Sequence, residues 1–179
     1  MIIKSYEIDK ISSTKNKLIL IYGPNRGFKD QIIKNKFEST FVGEISRVEE
    51  DEILKNYEEF ISNLMNKSLF DDERLIIISR SSDKILKFIN EIRDRDIQTI
   101  KIVFNSNILE KKSKLRTLFE KEKDLTCIPF YEDNDKSLSI IAQNFFTKKK
   151  IKISQEIINL LVNRSKGDRG NLNNELNKI

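Results

Sequence analysis

The sequence predicts an α/β fold, in which a parallel five-stranded sheet carries helices on both faces and is followed by a small three-helix domain. Four short apolar runs and one further possible strand alternate with helical patterns over residues 17–130. Strands that alternate with helices imply right-handed crossovers and a mainly parallel sheet. Beyond Tyr131 only helical patterns follow, and 179 residues leave room for one ordinary domain and a small addition. We therefore expect one domain over residues 1–132 and a second over residues 133–179.

The strand candidates are apolar runs too short to form a helix. They cover Lys17–Tyr22, Leu75–Ser79, Thr99–Phe104 and Leu125–Phe130, and the more polar stretch Glu44–Val48 is a possible short strand after the first of them. Continuous apolar runs of this length are typical of strands that are buried on both faces. Cys127 lies in the last run, so we expect its side chain to be buried and unreactive.

Between and after these strands, apolar residues recur at helical spacing. The helix after the first strand carries Phe28, Ile32 and Phe37 on one side. Seven helices are predicted. Four lie among the strands and cover residues 28–37, about Asp51 to Met65, residues 83–92 and Ile108 to Phe119. Three follow the last strand and cover Asp135–Thr147, Ser154–Asn163 and Asn171 to the end. The last helix reaches Ile179 without a cap, so we expect the chain to stop at a domain edge.

The composition indicates a heavily charged globular chain and argues against several classes of function. With 33 basic and 28 acidic side chains the net charge is +5, which permits contact with nucleic acid without requiring it. The sequence has no His and a single Cys, so the commonest general base and the usual zinc ligands are missing. We expect no metal and no cofactor. No apolar run approaches the roughly 18 residues of a membrane span and residues 1–5 lack a signal-peptide core, so we expect a cytoplasmic chain without a membrane partner.

The loop after the first strand has the position of a phosphate-binding loop without its chemistry. Residues Gly23 to Asp30 read Gly-Pro-Asn-Arg-Gly-Phe-Lys-Asp, where the pattern G-x-x-x-x-G-K-[ST] would hold a nucleotide. Phe28 replaces the glycine before the lysine and limits the approach of a phosphate, and Asp30 replaces the Ser or Thr that would hold Mg²⁺. Gly23, Gly27 and Lys29 therefore form a degenerate, non-functional loop, in which we expect Lys29 to be a solvated helix residue.

A second requirement of phosphoryl transfer fails at the third strand. The run Leu75–Ile78 ends in Ser79 and Arg80, whereas a nucleotide hydrolase needs a carboxylate there to position the metal and the water. Asn105 follows the fourth strand in the place of a γ-phosphate sensor, and without a triphosphate we expect it to form a turn. These two failures predict that the chain does not hydrolyse ATP.

The most informative stretch joins an amphipathic helix to the third strand. Within it, Leu69 and Phe70 form an apolar pair between Ser68 and three acidic residues. Continued at about 100° per residue, the helix would turn Phe70 away from its apolar face. Isolated apolar loop residues often pack under a sheet, and an exposed apolar pair with a polar rim suits the pocket of a partner. The residues alone leave both interpretations open.

Together these features resemble the delta subunit of bacterial DNA polymerase III clamp loaders, over the whole chain. The resemblance rests on segments in a fixed order, which are Ile19–Lys29, Ser68–Ile78 and Gly167-Asp168-Arg169 with Leu172–Lys178. It implies an AAA+-like P-loop NTPase domain followed by a helical lid domain. In this family a Leu-Phe pair enters a hydrophobic pocket of the sliding clamp, which assigns clamp binding to Ser68, Leu69 and Phe70.

The resemblance also implies partners. A subunit of this kind binds the beta sliding clamp and opens the ring, does not hydrolyse ATP itself, and works with the gamma/tau and delta-prime subunits. The family's third, collar-forming domain is missing from these 179 residues, so we expect the chain to bind clamp without assembling the pentameric loader. Primed DNA held in the loader is compatible with weak contacts from Lys111, Lys112, Lys114, Lys148, Lys149 and Lys150.

Two other functions remain open on the residues alone. An active small P-loop NTPase or kinase would bind nucleotide, and the substitutions in the loop argue against it. A basic nucleic-acid-binding module would use Lys111–Arg116 and Lys148–Lys152, although charge runs of this length are usually solvated surface and no aromatic side chains alternate with these lysines. Gly167-Asp168-Arg169 stands where an active relative would place a sensing arginine, and is most simply a helix start with Asp168 at the positive end.

Overall fold

The strands form one sheet in the order β2-β3-β4-β1-β5. The structure, a computed structural model, describes residues 1–10, 17–68, 73–95 and 99–179. The strands are β1 Leu18–Tyr22, β2 Glu44–Glu49, β3 Arg74–Ser79, β4 Ile100–Asn105 and β5 Leu125–Pro129. All of these pairings are parallel, with Leu20 opposite Phe104 and Cys127. The carboxyl ends of the strands therefore share one edge of the sheet, which the connecting loops surround.

The inner strands are buried on both faces because their sequences are continuous apolar runs. Side chains alternate across a strand, so Leu20 and Ile76 enter the core on one face while Ile19 and Ile77 enter the core on the other. The predicted burial of Cys127 in β5 is confirmed, since its side chain is fully buried. β2 forms one edge of the sheet and is the most exposed strand.

Helices cover both faces of the sheet, as the fold class predicted. They are α1 Arg26–Ile32, which continues as a π-helix over Ile33–Glu38, α2 Glu50–Lys55, α3 Tyr57–Ser68, α4 Leu86–Asp94, α5 Lys114–Lys121, α6 Asp135–Lys148, α7 Gln155–Ser165 and α8 Arg169–Leu176. Short 3₁₀ helices cover Ser5–Lys10 and Asp83–Ile85. None of the helices in the described part of the chain is long and apolar enough to cross a membrane.

Two predicted helices differ from the observed ones. The helix expected from about Asp51 is divided, because the backbone of Asn56 leaves the helical region (φ −121°, ψ 43°) between α2 and α3. The helix expected from Ile108 begins only at α5, where Ser113 accepts a hydrogen bond from the backbone N–H of Arg116 and caps the first turn. Ile108 itself is exposed, so its apolar side chain does not mark a helix face.

The last helix begins earlier than predicted, and it ends at Leu176 with Asn177 as its C-cap, before Ile179. Asp168 caps α8 by accepting a hydrogen bond from the backbone N–H of Asn171 at 2.7 Å, so the helix starts at Arg169. The interpretation of Asp168 as a residue at a helix start is therefore confirmed.

Helices α6, α7 and α8, here called the helical bundle, enclose a buried cluster of their own. Its members include Leu138, Phe146, Leu161 and Leu172. Asn134 caps α6 in a capping box with Ser137, directly after the loop that follows β5. A separate cluster of this kind is what the predicted division near residue 132 requires, and the division itself stays a prediction.

Candidate functional site

The loop between β1 and α1 lies at the carboxyl edge of the sheet, where the sequence predicted a degenerate phosphate loop. Gly23 has a φ of +126°, and a Cβ there would lie 2.2 Å from the carbonyl oxygen of Phe130, so only glycine fits beside the end of β5. Asn25 caps α1 by accepting a hydrogen bond from the backbone N–H of Phe28 at 3.1 Å. The conformation of the loop is thus determined by its neighbours in the fold.

The prediction that Lys29 is a solvated helix residue is wrong. Lys29 is only 2% exposed, and its ammonium group donates a hydrogen bond to the carbonyl oxygen of Ser106 at 2.5 Å. Lys29 and Ile32 are the buried residues of α1, so the helix turns the lysine toward the sheet and the end of β4. Burial lowers the pKa of Lys29, and the nearby carboxylate of Asp30 opposes this effect in part. The cation of the loop therefore binds the protein's own backbone.

Phe28 fills the space beside the loop that a glycine would leave open. Its ring meets the ring of Phe130 edge-on, with the two centroids 5.0 Å apart. The guanidinium group of Arg169 lies over the Phe28 ring, 3.6 Å from the centroid of that ring. Because Arg169 begins α8, this stack joins the helical bundle to the loop. Asp30 faces solvent instead and pairs with Arg26 at 3.7 Å.

Asp133 connects the loop to the helical bundle. Its carboxylate accepts hydrogen bonds from Arg169 Nε at 2.7 Å and Nη2 at 2.6 Å, from Asn25 Nδ2 at 2.7 Å, and from Ser137 Oγ at 2.8 Å. The side chains of Asp133 and Arg169 are only 6% and 13% exposed. Burial alone would raise the pKa of Asp133, but the hydrogen bonds from Arg169, Asn25 and Ser137 hold that pKa below its usual value. The pair is therefore an ionised, largely buried contact at physiological pH.

The starts of α1 and α8 touch through two glycines. A Cβ on Gly27 would lie 2.6 Å from the backbone nitrogen of Gly170 and 3.0 Å from its Cα. Any other side chain at position 27 would push the two helix starts apart. Gly27 thus serves the packing of the helical bundle on the loop.

The carboxyl end of β3 is occupied by side chains that bind one another. Arg80 adopts a left-handed conformation (φ +59°) and pairs with Glu49 at 3.1 Å. Glu50 is a buried carboxylate at this edge, and its two oxygens accept hydrogen bonds from the backbone N–H and the hydroxyl of Ser82, each at 2.7 Å. Among the residues that the structure describes, no group of three or more His, Cys, Asp or Glu side chains is placed to hold a metal ion.

The prediction that Asn105 forms a turn is wrong, because it is the last residue of β4. It pairs with Ile21 in β1 and with Ser79 in β3. The next residue, Ser106, donates its hydroxyl to the carbonyl oxygen of Ser81 at 2.6 Å. The end of β4 is therefore bound to the neighbouring strand ends as part of the sheet.

The predicted clamp-binding residues fall in the sequence between helix α3 and strand β3. Leu69 and Phe70 lie outside the described residues, and Ser68 is the last residue of α3. Helix α3 leads to this point with Ile61 and Leu64 buried in the core. The exposure of Leu69 and Phe70 stays a prediction.

The other end of this segment is held by the edge strand β2. A Cβ on Gly43, whose φ is +144°, would lie 2.1 Å from the carbonyl oxygen of Glu73, which accepts a hydrogen bond from the backbone N–H of Glu44 at 3.1 Å. Arg74 is buried and pairs with the carboxylate of Glu44 at 3.1 Å. The described residues next to this segment therefore belong to α3, which ends at Ser68, or bind the start of β2, as Glu73 does.

The lysines predicted to contact DNA weakly are all exposed, and they form two groups. The first group lies before and at the start of α5 and contains Lys111, Lys112 and Lys114. The second lies at and after the end of α6 and contains Lys148, Lys149 and Lys150. The carboxylate of Asp83 accepts hydrogen bonds from the backbone N–H groups of Lys114 at 3.1 Å and Leu115 at 2.9 Å. The positive end of α5 is therefore already occupied by a carboxylate. A phosphate near the first group would have to be bound by the ammonium groups.

Sequence reasoning missed Asp133 as a residue of this region, and it interpreted Arg169 only as part of a helix start. Each carries a weak signal, since Asp133 follows the fifth strand, at the edge where polar groups gather, and Arg169 follows the cap of a helix. Their pairing joins positions 36 residues apart, and no local pattern encodes that contact.

Comparisons with known proteins identify the fold. No protein-family model and no curated protein matches the sequence. Among solved structures, the Bacillus subtilis DNA clamp loader delta protein (YqeN) is 14% identical with a TM-score of 0.57, over 91% of this chain and 52% of that one. The Thermotoga maritima RuvB Holliday junction branch migration motor is 12% identical with a TM-score of 0.55, over 90% and 53%. The replication initiator DnaA bound to AMPPCP and single-stranded DNA is 14% identical with a TM-score of 0.55, over 96% and 57%.

These likenesses identify an AAA+ P-loop NTPase fold, as predicted. At such identities they define the fold and nothing finer. The chain spans about half the length of the solved structures that it matches.

Proposed function

We propose that this chain acts in DNA replication as a clamp-loader subunit of the delta type, which binds the beta sliding clamp through Leu69 and Phe70 and opens the ring. The observation that carries the proposal is the burial of Lys29 against the carbonyl oxygen of Ser106 in an otherwise AAA+ fold. A chain that keeps the fold but directs the lysine of its phosphate loop into its own core suits a binding role better than a nucleotide-driven one.

The position of the proposed anchor pair in the chain supports clamp binding. In the sequence, Ser68, Leu69 and Phe70 stand between a helix packed on the core and a buried strand. Burying a Leu and a Phe contributes roughly 1.5–3 kcal/mol each. The acidic residues that follow would supply the polar rim that surrounds most binding hot spots.

The contacts of the phosphate loop support a subunit without ATP hydrolysis of its own. A nucleotide at the start of α1 would compete with Ser106 for the ammonium group of Lys29 and would meet Phe28 and Arg169 stacked on each other. The carboxylate of Asp30 would add charge repulsion where Mg²⁺ and phosphate bind. No cofactor is part of the proposed role.

The remaining proposed partners are other clamp-loader subunits and DNA. The gamma/tau and delta-prime subunits would be joined mainly through a collar domain outside these residues. Primed DNA would be contacted weakly through the exposed lysines before α5 and after α6. Such contacts depend on counterion release, so they should weaken steeply with salt and be independent of base sequence. The proposed location is the cytoplasm.

Titration of this chain against the cognate beta clamp, with and without Mg·ATP, tests the proposal. We expect saturable binding with the same Kd in both conditions and no rise in Tm when Mg·ATP is added. Absence of binding would contradict the clamp-binding role. A clear rise in Tm with Mg·ATP that is lost in Lys29→Met would contradict the non-catalytic role and favour a P-loop NTPase.

A further inference from the structure

The helical bundle meets the sheet at the start of α1, the place where a phosphate loop would hold its ligand. The contacts there are made by side chains and backbone of the chain itself. We infer that they form a ligand-independent latch, centred on Asp133 and Arg169, which fixes the orientation of the helical bundle against the sheet. The latch does not depend on clamp binding, and its test uses no clamp.

Asp133 joins three elements that are distant in sequence. It accepts from Asn25 in the loop before α1, from Ser137 in the first turn of α6, and from Arg169 at the start of α8. A rotation of the helical bundle would stretch the bond to Asn25, because that residue belongs to the sheet side of the contact. Since Asp133 is largely buried, water would not readily replace the lost partner.

Arg169 holds the same contact from the side of α8. Its Nε and Nη2 atoms bind both oxygens of Asp133, a bidentate geometry that fixes direction as well as distance. The face of its guanidinium group lies on the ring of Phe28. Separation of the helical bundle from α1 would therefore break the stack of Arg169 on Phe28 and the bond from Asn25 to Asp133 together.

The glycine contact fixes how closely the two parts approach. Gly27 and Gly170 bring the backbones of α1 and α8 together so tightly that a Cβ on Gly27 would overlap the backbone of α8. Packed groups of this kind favour discrete arrangements over continuous deformation. Polar bonds and close packing therefore select the same orientation.

These contacts bear on whether a ligand can change the orientation of the helical bundle against the sheet. A ligand changes the balance between two conformations only by as much as its affinities for them differ. Here the charged and stacking groups that hold the helical bundle belong to the chain and are present at all times. The orientation should therefore be single and indifferent to nucleotide.

A distance between two spin labels tests the latch. Lys34, in the π-helix after α1, and Glu156, in α7, are both exposed, so Lys34→Cys and Glu156→Cys report the position of the helical bundle against the sheet side. Cys127 is fully buried, so we expect it not to be labelled in the folded chain. Pulsed electron–electron double resonance on this pair should give one narrow distance distribution, and Mg·ATP should leave it unchanged. Arg169→Gln in the same background should broaden the distribution or shift its mean.

The matched control is Arg164→Gln. Arg164 lies within the helical bundle, is 66% exposed and pairs with Glu175 at 4.0 Å, so its replacement should leave the distribution narrow. Asp133→Asn, which keeps the volume of the side chain, is the second latch variant and should act like Arg169→Gln, with circular dichroism showing that the helices remain. The inference is overturned by a broad distribution in the parent, by a change on adding Mg·ATP, or by folded latch variants that keep the parent distribution.

Discussion

Replacement of Lys29 by Met should preserve the fold and change how stability depends on pH. Lys29 is buried, and the hydrogen bond from its ammonium group to Ser106 is its polar contact in the core. Met has nearly the same length and apolar stem and carries no charge. The variant therefore removes the charge and the hydrogen bond with little change in packing.

The size of the effect follows from two opposing contributions. Leaving the carbonyl oxygen of Ser106 without a partner costs about 1–3 kcal/mol. Burying the charged ammonium group in the parent costs several kcal/mol of desolvation free energy, and Lys29→Met no longer pays that cost. Lys29→Met should thus be close to the parent in stability at pH 7. Lys29→Ala also leaves a cavity and should be less stable than Lys29→Met by about 2–5 kcal/mol.

The pH dependence has a defined sign. Burial places the pKa of Lys29 in the folded chain below its usual 10.5, so the unfolded chain binds more protons in the interval between the two values. Stability of the parent therefore rises with pH through that interval, up to about 10.5, and Lys29→Met loses this rise. Burial also lowers the pKa of Lys101, but this contribution is common to both chains and cancels in the comparison.

Urea denaturation at pH 7 and pH 10 measures these differences, with Lys34→Met at an exposed position as the control. We expect the free energy of unfolding of the parent, relative to that of Lys29→Met, to be larger at pH 10 than at pH 7. Lys34→Met should change with pH as the parent does. The reasoning is refuted if Lys29→Met follows Lys34→Met at both pH values, or if Lys29→Ala is as stable as Lys29→Met. Either result would mean that the lysine is solvated.

Other variants test the packing around the sheet. Gly27→Ala should lower the free energy of unfolding by about 1–3 kcal/mol, because its Cβ would lie 2.6 Å from the backbone of Gly170, and an unchanged urea midpoint would argue against that contact. Asp83→Ala should cost about 0.5–2 kcal/mol through loss of the cap on α5. Burial would raise the pKa of Asp83 but hydrogen bonds from the start of α5 hold it below its usual 3.8, so the difference in Tm should shrink as pH falls below that value and a constant difference would speak against the cap. Cys127, whose pKa burial raises to about 12, should react with a thiol reagent only on unfolding, and rapid labelling of the native chain would contradict its burial.

The strands and the fold class could be predicted from the sequence because burial on both faces leaves a local signature. Runs such as Leu75–Ile78 have no polar residue to place at a surface, so they fit only the interior of a sheet. Helix boundaries were less predictable. Ile108 suggested a helix face by residue type alone, whereas the capping by Ser113 and Asp83 decides where α5 begins.

The contacts of the site depend on tertiary structure and were predicted less well. Lys29 was expected in solvent because lysine is rarely buried, and only the position of Ser106 at the end of β4 explains its burial. The bond between Asp133 and Arg169 likewise requires α8 to return to the loop after β5. Such pairings follow from the packing of whole elements, which no local pattern reveals.

The central claim is that Leu69 and Phe70 bind the clamp and are not part of the core. The most direct test replaces both by Ala and measures, on the same preparation, the Kd for the cognate beta clamp and the Tm of the free chain. We expect each replacement to cost on the order of 2–4 kcal/mol of binding free energy as a hot spot, so that the double variant no longer binds, while its stability changes by about 0.5 kcal/mol or less per residue. A double variant that unfolds or melts many degrees lower would make the pair a core contact. One that folds normally and keeps the Kd of the parent would place clamp binding elsewhere on the chain.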